Sequence, residues 1–151
     1  GHATVASTEN AGWGNFVNAI AGVMGSDNKK TESLITTKNL LIDGDKDLEK
    51  ASMALKDAVN SLVHECRLTS DYYTTNKREA VFTHLVLAGA GSAVPGLSEY
   101  VARDNENEVI THDILKTVDF SSKFEKTKVK AAAPVLAVAV GAALAGGDFD
   151  D

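Results

Sequence analysis

The sequence is poor in cysteine and in clustered basic residues. Cys66 is its only cysteine, so no internal disulfide bond can form. This excludes a small secreted scaffold held by bridges and favours a reducing cytoplasm. The 15 Lys and Arg residues are outnumbered by 21 Asp and Glu, the net charge is −6, and the basic residues form no long run. Because nucleic-acid binding usually needs a basic surface, we expect no nucleic-acid partner.

Long, strongly apolar segments are also missing. The most apolar run, from Ala131 to Gly147, consists mostly of Ala and Gly. It is shorter than the roughly 20 strongly apolar residues of a membrane-spanning helix. We therefore predict a buried helix and no direct membrane insertion. The sequence does not open with a charged-then-apolar segment, and we expect Gly1-His2 to be a tag remnant and the chain to lack a signal peptide.

Apolar periodicity predicts helices that alternate with strands. The first half is predicted to contain a short strand from Thr4 to Thr8, a helix from an Asn15 N-cap to Gly25, a helix from an Asp27 cap to about Thr37, and a long helix from Asp47 to about Tyr73. A strand from Val81 to Ala88, buried on both faces, follows, and then a helix with Pro95 in its first turn that ends near Ala102. The last predicted elements are a strand from Glu108 to Thr111 and a closing helix from Ala131 to Ala145 with Pro134 in its first turn. This order is typical of an α/β sheet covered by helices.

The most informative motif is L-V-L-A-G-A-G-S-A-V-P-G-L, from Leu85 to Leu97, with two glycines between a predicted strand and a predicted helix. Such glycines let a ligand approach the backbone, and the N-terminus of the helix offers free N–H groups to an anion. Ligands of open α/β sheets bind at this edge. A tight turn alone would need the same glycines, and Val94 replaces the third glycine of the dinucleotide fingerprint. The residues leave open whether Gly89 and Gly91 serve a nucleotide.

No catalytic residue and no metal site are predicted. The histidines are too scattered to supply zinc ligands at the usual spacing. Cys66 lies on the apolar face of the predicted long helix, where a packed side chain is expected rather than a nucleophile. Ser92 does not fall within a G-x-S-x-G nucleophile elbow. The pair Asp43-Gly44 is interpreted as a turn rather than a phosphate-binding hairpin.

The glycine motif resembles the adenosine motif of actin-like ATPases, and other segments extend the resemblance. L-V-H-E-C-R-L-T-S-D-Y-Y resembles the helix that leads into this motif in the PilM family of type IV pilus assembly proteins, and A-P-V-L-A-V-A-V-G-A-A-L resembles the closing helix of that family. Upstream, G-W-G-N-F-V-N-A-I-A-G-V-M-G and T-E-S-L resemble two further PilM helices. The resemblance covers nearly the whole chain and implies that the chain is the C-terminal half of a PilM-like protein.

The fold class that the resemblance implies is α/β: a partial actin-like (ribonuclease H-like) large subdomain with a small, mostly helical subdomain. The implied divisions are a tag remnant at 1–2, an edge strand of the large subdomain at 3–12, a small helical subdomain at 13–45, the long helix plus the adenosine-motif half of the large subdomain at 46–147, and a loose tail at 148–151. The resemblance further implies that the first half of an actin-like protein is not part of this sequence.

The implied site is an ATP site with Mg in the full-length protein. The residues that would line its adenosine and α-phosphate side are Gly89, Ala90, Gly91 and Ser92. Glu32 would face the adenine or ribose from the small subdomain. The sequence departs from the family where Lys commonly follows this Glu, because Ile35 and Thr36 stand there instead. Two Asp-containing phosphate hairpins are also missing, so this fragment is expected to bind ATP weakly or not at all and not to hydrolyse it.

The implied function is a cytoplasmic scaffold of type IV pilus biogenesis, peripheral to the inner membrane through a PilN-like protein and other pilus assembly components. The groove for the PilN tail belongs to the first half of the family's fold, so we do not expect it here. Two alternatives stay open: a fragment of another actin-like ATPase, FtsA-like or heat-shock-type, or an interaction module that has lost nucleotide binding. An exposed sheet edge left by missing strands would also permit a homodimer.

Overall fold

A computed structural model of the chain describes residues 11–43, 45–76, 81–105, 107–116, 118 and 125–146. In this part of the chain the elements are, in order, α1 (Trp13–Met24), α2 (Asn28–Thr37), α3 (Glu49–Asn76), β1 (His84–Leu87), α4 (Leu97–Ala102), β2 (Glu108–Thr111) and α5 (Lys126–Gly146). Short 3-10 helices lie at Lys46–Leu48, Ala90–Ala93 and Ile114–Lys116. The strand predicted from Thr4 to Thr8 and the tail predicted at 148–151 lie outside the described residues. The mixed helix and strand class is confirmed.

Helix α1 is amphipathic and begins earlier than predicted. The Asn15 N-cap is wrong, because Gly12 occupies that position and the helix already begins at Trp13. A short polar side chain indicates a cap only when the preceding residues are not helical, and here they are. The helix ends as predicted at Gly25, which adopts the left-handed conformation (φ 61°) and donates its N–H to the Ala21 carbonyl.

Helix α2 begins at the predicted cap. The Oδ1 of Asp27 accepts a hydrogen bond from the Lys30 N–H at 2.9 Å. The Asp27 carbonyl also accepts from the Thr31 hydroxyl at 3.0 Å. These bonds satisfy donors that the first turn of a helix would otherwise leave without partners.

Replacing Asp27 with Ala is expected to lower the free energy of unfolding by about 1 kcal/mol, the usual effect of losing an N-cap acceptor. The Asp27–Lys30 ion pair is exposed and adds little. Urea denaturation followed by circular dichroism measures the loss. Asp27→Asn keeps the acceptor without the charge and should stay near the original stability. An equal loss in both variants would assign the effect to charge rather than to capping.

Helix α3 has its fully buried side chains in its first half, whereas its second half makes isolated contacts, such as that of the Tyr73 ring with Phe82. Ala51, Leu55 and Val59 are buried at the predicted helical spacing, four residues apart, and Ser52 is buried beside Ala51. Beyond them the helix is largely exposed, with Leu68 at 49% and Tyr72 at 66%. The prediction that Cys66 is packed is wrong, because its side chain is exposed. The reason is length: α1, which contacts α3, has 12 residues against 28.

The strands β1 and β2 pair in parallel, with His84 opposite Glu108 and Val86 opposite Ile110. The predicted burial of the first strand on both faces is wrong, since Val86 is 55% exposed. One face, which includes Leu85, packs against the core. The other face carries an exposed ion pair between His84 Nε2 and Glu108 Oε2 at 3.3 Å. The strand is apolar on both faces in sequence, but the described residues bury only one.

Helix α5 begins before the predicted Ala131, so Pro134 lies inside it rather than in its first turn. The prediction of a buried helix is wrong for the described side chains, because Ala133 is buried while Val135 and Val138 are 63% and 69% exposed. The helix packs on one side against the 3-10 helices at Ala90–Ala93 and Ile114–Lys116. None of the described helices combines the length and apolar character needed to cross a membrane.

A single hydrophobic cluster joins the helices to the base of the glycine motif. Its buried members come from α1, α2, the segment after α2, α3, and the segment that includes α4: Phe16, Val17, Ile20, Ile35, Leu40, Leu41, Ala51, Leu55, Val59, Val94, Leu97 and Val101. The Ser52 hydroxyl donates to the Leu40 carbonyl at 2.6 Å, which ties the segment after α2 to α3. The glycine motif is thereby anchored on the same core as α1.

Candidate functional site

The glycine motif forms a tight turn at the carboxyl end of β1. Gly89 has φ 88° and ψ −179°, a backbone conformation that residues with a Cβ rarely adopt. A Cβ placed on Gly89 would meet no atom of the described residues within 4 Å. The backbone conformation, and not crowding by the described residues, therefore accounts for glycine at this position. The space beside Gly89 is open on the side where a Cβ would point.

Hydrogen bonds within the turn hold it as one 3-10 helix, Ala90–Ala93. The Gly89 carbonyl accepts both the Ser92 N–H at 3.0 Å and the Ser92 hydroxyl at 2.8 Å. The Val94 N–H donates to the Gly91 carbonyl at 3.1 Å. Val94 is buried at 4% and anchors the end of the turn in the core. The Ser92 side chain thus stabilises the turn itself.

Gly91 faces the protein. A Cβ placed there would lie 3.3 Å from Cε2 of Phe16 and 3.7 Å from the backbone nitrogen of Trp13. The first of these distances is closer than ordinary van der Waals contact, and Phe16 is 1% exposed and held in the core. The two glycines of the motif therefore have different roles: Gly89 allows an unusual backbone angle, and Gly91 allows α1 to approach the turn.

The helix that follows the turn does not begin where the sequence predicted. The prediction placed Pro95 in the first helical turn, but α4 begins at Leu97, with Gly96 (φ 77°) as its N-cap. The 3-10 helix separates α4 from Gly89. The prediction that a helix N-terminus follows the glycines directly is therefore wrong. The glycines and the proline indicated that the strand ends here, but they could not distinguish a 3-10 helix from the first turn of an α-helix.

Glu32 lies on the exposed surface of α2. Its carboxylate forms no hydrogen bond or ion pair with any residue that the structure describes, and its backbone carbonyl accepts the Thr36 hydroxyl at 2.9 Å. Helix α1 contacts both α2 and the glycine turn. The structure thus brings Gly89, Ala90, Gly91 and Ser92 together as one turn, whereas α2, the helix that carries Glu32, is connected to this turn through α1.

The remaining titratable groups near these elements do not form a second site. Across the described ranges, no group of three or more His, Cys, Asp or Glu side chains is arranged to hold a metal ion. Partial burial raises the pKa of the Cys66 thiol, and the neighbouring Glu65 carboxylate raises it further. A raised pKa disfavours the thiolate, the nucleophilic form of a cysteine. The Asp45 carboxylate accepts the Asp47 N–H at 3.0 Å and caps a 3-10 helix.

A small cleft beside the segment after α2 has a volume of about 80 Å³. The residues that line it are Lys38, Asn39, Leu40, Asp43, Asp45 and Leu48. Ligand pockets usually measure roughly 300–1,000 Å³. The cleft can therefore hold a few water molecules but not a nucleotide.

Residues outside the motif that shape it were not predicted. Phe16 and Trp13 approach Gly91, and Asn39 and Ile42 approach Gly96. All four are far from the motif in sequence. The only sequence signal was the glycines themselves, which indicate that another segment of the chain lies close to the motif. A glycine without a Cβ indicates a close approach but does not identify the approaching residue.

The model of the type IV pilus assembly protein PilM family matches residues 15–146. This range contains most of α1 and all of the other described elements, including the glycine turn. The chain belongs to the PilM family. The resemblance to this family seen in the sequence is thereby confirmed.

The PilM-like fold is also found among solved structures. A chain of a "PilM-PilN type IV pilus biogenesis complex" superimposes with a TM-score of 0.65 and 22% sequence identity. The match covers 88% of the present chain and 36% of that chain, so the present chain spans about a third of its length. At this identity the likeness establishes the fold alone. No curated protein matches the chain.

Proposed function

We propose that this chain contributes the adenosine-binding part of a PilM-family scaffold that assembles type IV pili. The family match over residues 15–146 carries the pilus assignment. The proposal assigns the chain a partial actin-like fold, in which the sheet that contains β1 and β2 is one half of a nucleotide-binding lobe. The scaffold acts in the cytoplasm, at the inner membrane, and the described residues are not expected to hydrolyse its nucleotide.

The glycine turn supports the nucleotide part of the proposal. Its open side, at Gly89, lies at the carboxyl end of a parallel strand, where ligands of such sheets bind. Gly89 and Ala90 would present backbone to the adenosine. The exposed carboxylate of Glu32 could accept hydrogen bonds from a ribose hydroxyl or the adenine amino group. These residues therefore fit the adenosine side of an ATP. The proposal does not assign the Mg ion to any of them.

The partner in this proposal is a PilN-like inner-membrane protein. The solved complex pairs PilM with PilN, as its title states. We expect the full-length protein to bind the cytoplasmic tail of its PilN-like partner. The present chain alone should not bind this tail, because we place the groove for the PilN tail in the other half of the family's fold. A pull-down with both forms tests this, and retention of the tail by the present chain alone would contradict that placement.

Replacing Gly89 with Ala is expected to weaken nucleotide binding about 5- to 150-fold, which corresponds to the roughly 1–3 kcal/mol cost of a strained backbone angle. The reason is that the turn must relax from φ 88°. Calorimetry with ATP and Mg on the full-length protein measures the change. Gly25→Ala is a matched control, because Gly25 also has a positive φ (61°) and open space around it. Equal affinity of Gly89→Ala and the original protein would contradict the proposed site.

A second candidate is an interaction module that keeps the fold without nucleotide. Two contacts favour it, because each uses a group that a nucleotide would otherwise contact. The Ser92 hydroxyl donates its hydrogen bond to the Gly89 carbonyl, and the Phe16 ring lies beside Gly91. The same calorimetry separates the candidates. Absence of binding by the full-length protein, together with retention of its PilN-like partner, would favour the module.

A further inference from the structure

Phe16 is the side chain that contacts the protein side of the glycine turn. Its Cε2 and Cδ2 atoms lie 3.3 and 3.9 Å from the position of a Cβ on Gly91. Phe16 is 1% exposed and belongs to the same core cluster as Val94, the residue that ends the turn. The ring is therefore held from behind by the core and cannot move away from the turn without disturbing other packed residues.

Helix α1 also links the turn to Glu32. It contacts the 3-10 helix Ala90–Ala93 at one place and α2 at another. Ile20 of α1 and Ile35 of α2 are fully buried in the same cluster. The spacing between the two parts of the proposed adenosine site is thus set by the packing of α1, and the contact of Phe16 with Gly91 is where that packing meets the turn.

We propose that Phe16 is a positioning residue for nucleotide binding: it fixes the Gly89–Ser92 turn through van der Waals contact with Gly91 and does not touch the nucleotide. This inference rests on the proposed function of the turn. On this inference, position 91 requires glycine because a larger residue would clash with the Phe16 ring. Gly89 remains the position that faces the ligand. A larger residue at 91 should then be tolerated if the ring at 16 becomes smaller.

The test is an exchange of size between the two positions in the full-length protein. Gly91→Ala places a methyl group against the Phe16 ring and is expected to weaken ATP binding at least 5-fold. Phe16→Leu removes the ring atoms that contact Gly91 and is expected to weaken binding by a similar factor, because the turn loses its support. The double variant Phe16→Leu/Gly91→Ala should recover most of the affinity, since the new methyl group occupies part of the space that the ring left.

Amide hydrogen exchange gives a readout that does not depend on nucleotide. The Ser92 N–H, which donates to the Gly89 carbonyl, should exchange at least 5-fold faster in each single variant and return toward the original rate in the double variant. Ile20→Val shortens another buried side chain of α1 and should leave this rate unchanged. The control separates loss of core packing in general from loss of the contact with the turn.

The two proposals fail in different ways. If the original protein does not bind ATP but the double variant restores the Ser92 exchange rate, the nucleotide site is wrong and the contact of Phe16 with the turn still positions it. If ATP binds, but the effects of the two single variants multiply in the double variant without recovery, the positioning role of Phe16 is wrong. Recovery of both affinity and exchange supports the inference.

Discussion

Replacing Leu55 with Ala is expected to lower the free energy of unfolding by about 2–5 kcal/mol, the usual range for truncating a buried leucine. Leu55 is 0% exposed and belongs to the buried face of α3, which α1 contacts. Part of the loss is the free energy of returning apolar surface to water, and part is the cavity left behind. The cavity should persist, because other members of the same core cluster, such as Phe16 and Val59, are themselves buried and closely packed.

Urea denaturation monitored by circular dichroism measures this loss. The matched control is Met53→Ala on the same helix, because Met53 is 60% exposed and its truncation should change the free energy of unfolding by no more than about 0.5 kcal/mol. Similar small effects at both positions would show that the first half of α3 is not packed as described. Similar large effects would mean that Met53 is covered in solution.

Elements with local sequence signals were predicted well. The Asp27 cap of α2 rests on a hydrogen bond within one turn, and β2 has the predicted bounds, Glu108–Thr111. The buried side of α3 followed from residues spaced three or four apart. In each case, the deciding contacts lie within a few residues along the chain or repeat regularly. A single sequence contains that information.

Burial was predicted less well, because it depends on which other elements cover a surface. An apolar run such as the one in β1 indicates a strand but does not say whether both faces are covered, and Val86 is exposed. Cys66 lies on the predicted apolar face of α3, beyond the part of the helix that is buried. Val135 of α5 is likewise exposed, although it belongs to an apolar run that was predicted to be buried. Periodicity gives the face of an element but not the length over which a partner packs against it.

The turn that carries the candidate site was predicted from the sequence, whereas its role as a binding site stays a prediction. The sequence located the turn at Gly89 to Ser92, and its glycines do adopt or permit conformations that other residues would resist. The sequence did not distinguish their roles, since the approach of Phe16 to Gly91 joins residues about half the chain apart. The position of Glu32 relative to the turn came from the family resemblance alone, and it stays a prediction.

Replacing Gly96 with Ala is expected to lower the free energy of unfolding by roughly 2–5 kcal/mol, combining the cost of a left-handed conformation with that of overpacking. Gly96 has φ 77°. A Cβ there would lie 2.8 Å from Cγ1 of Ile42 and closer still to Oδ1 of Asn39. The Tyr100 N–H donates to the Gly96 carbonyl at 2.8 Å, so a shift of this residue would also disturb the start of α4.

The control for this change is Gly22→Ala, because Gly22 lies inside α1 with open space at its Cβ position. There, Ala should stabilise the helix by about 0.5–1 kcal/mol. A second variant tests the source of the clash: the buried Oδ1 of Asn39 has no hydrogen-bond partner among the described residues, so Asn39→Ala should be nearly neutral by itself. Combined with Gly96→Ala, it should recover part of the lost stability in urea denaturation. Full additivity of the two changes would show that Asn39 does not restrict position 96 and that the backbone conformation alone requires glycine.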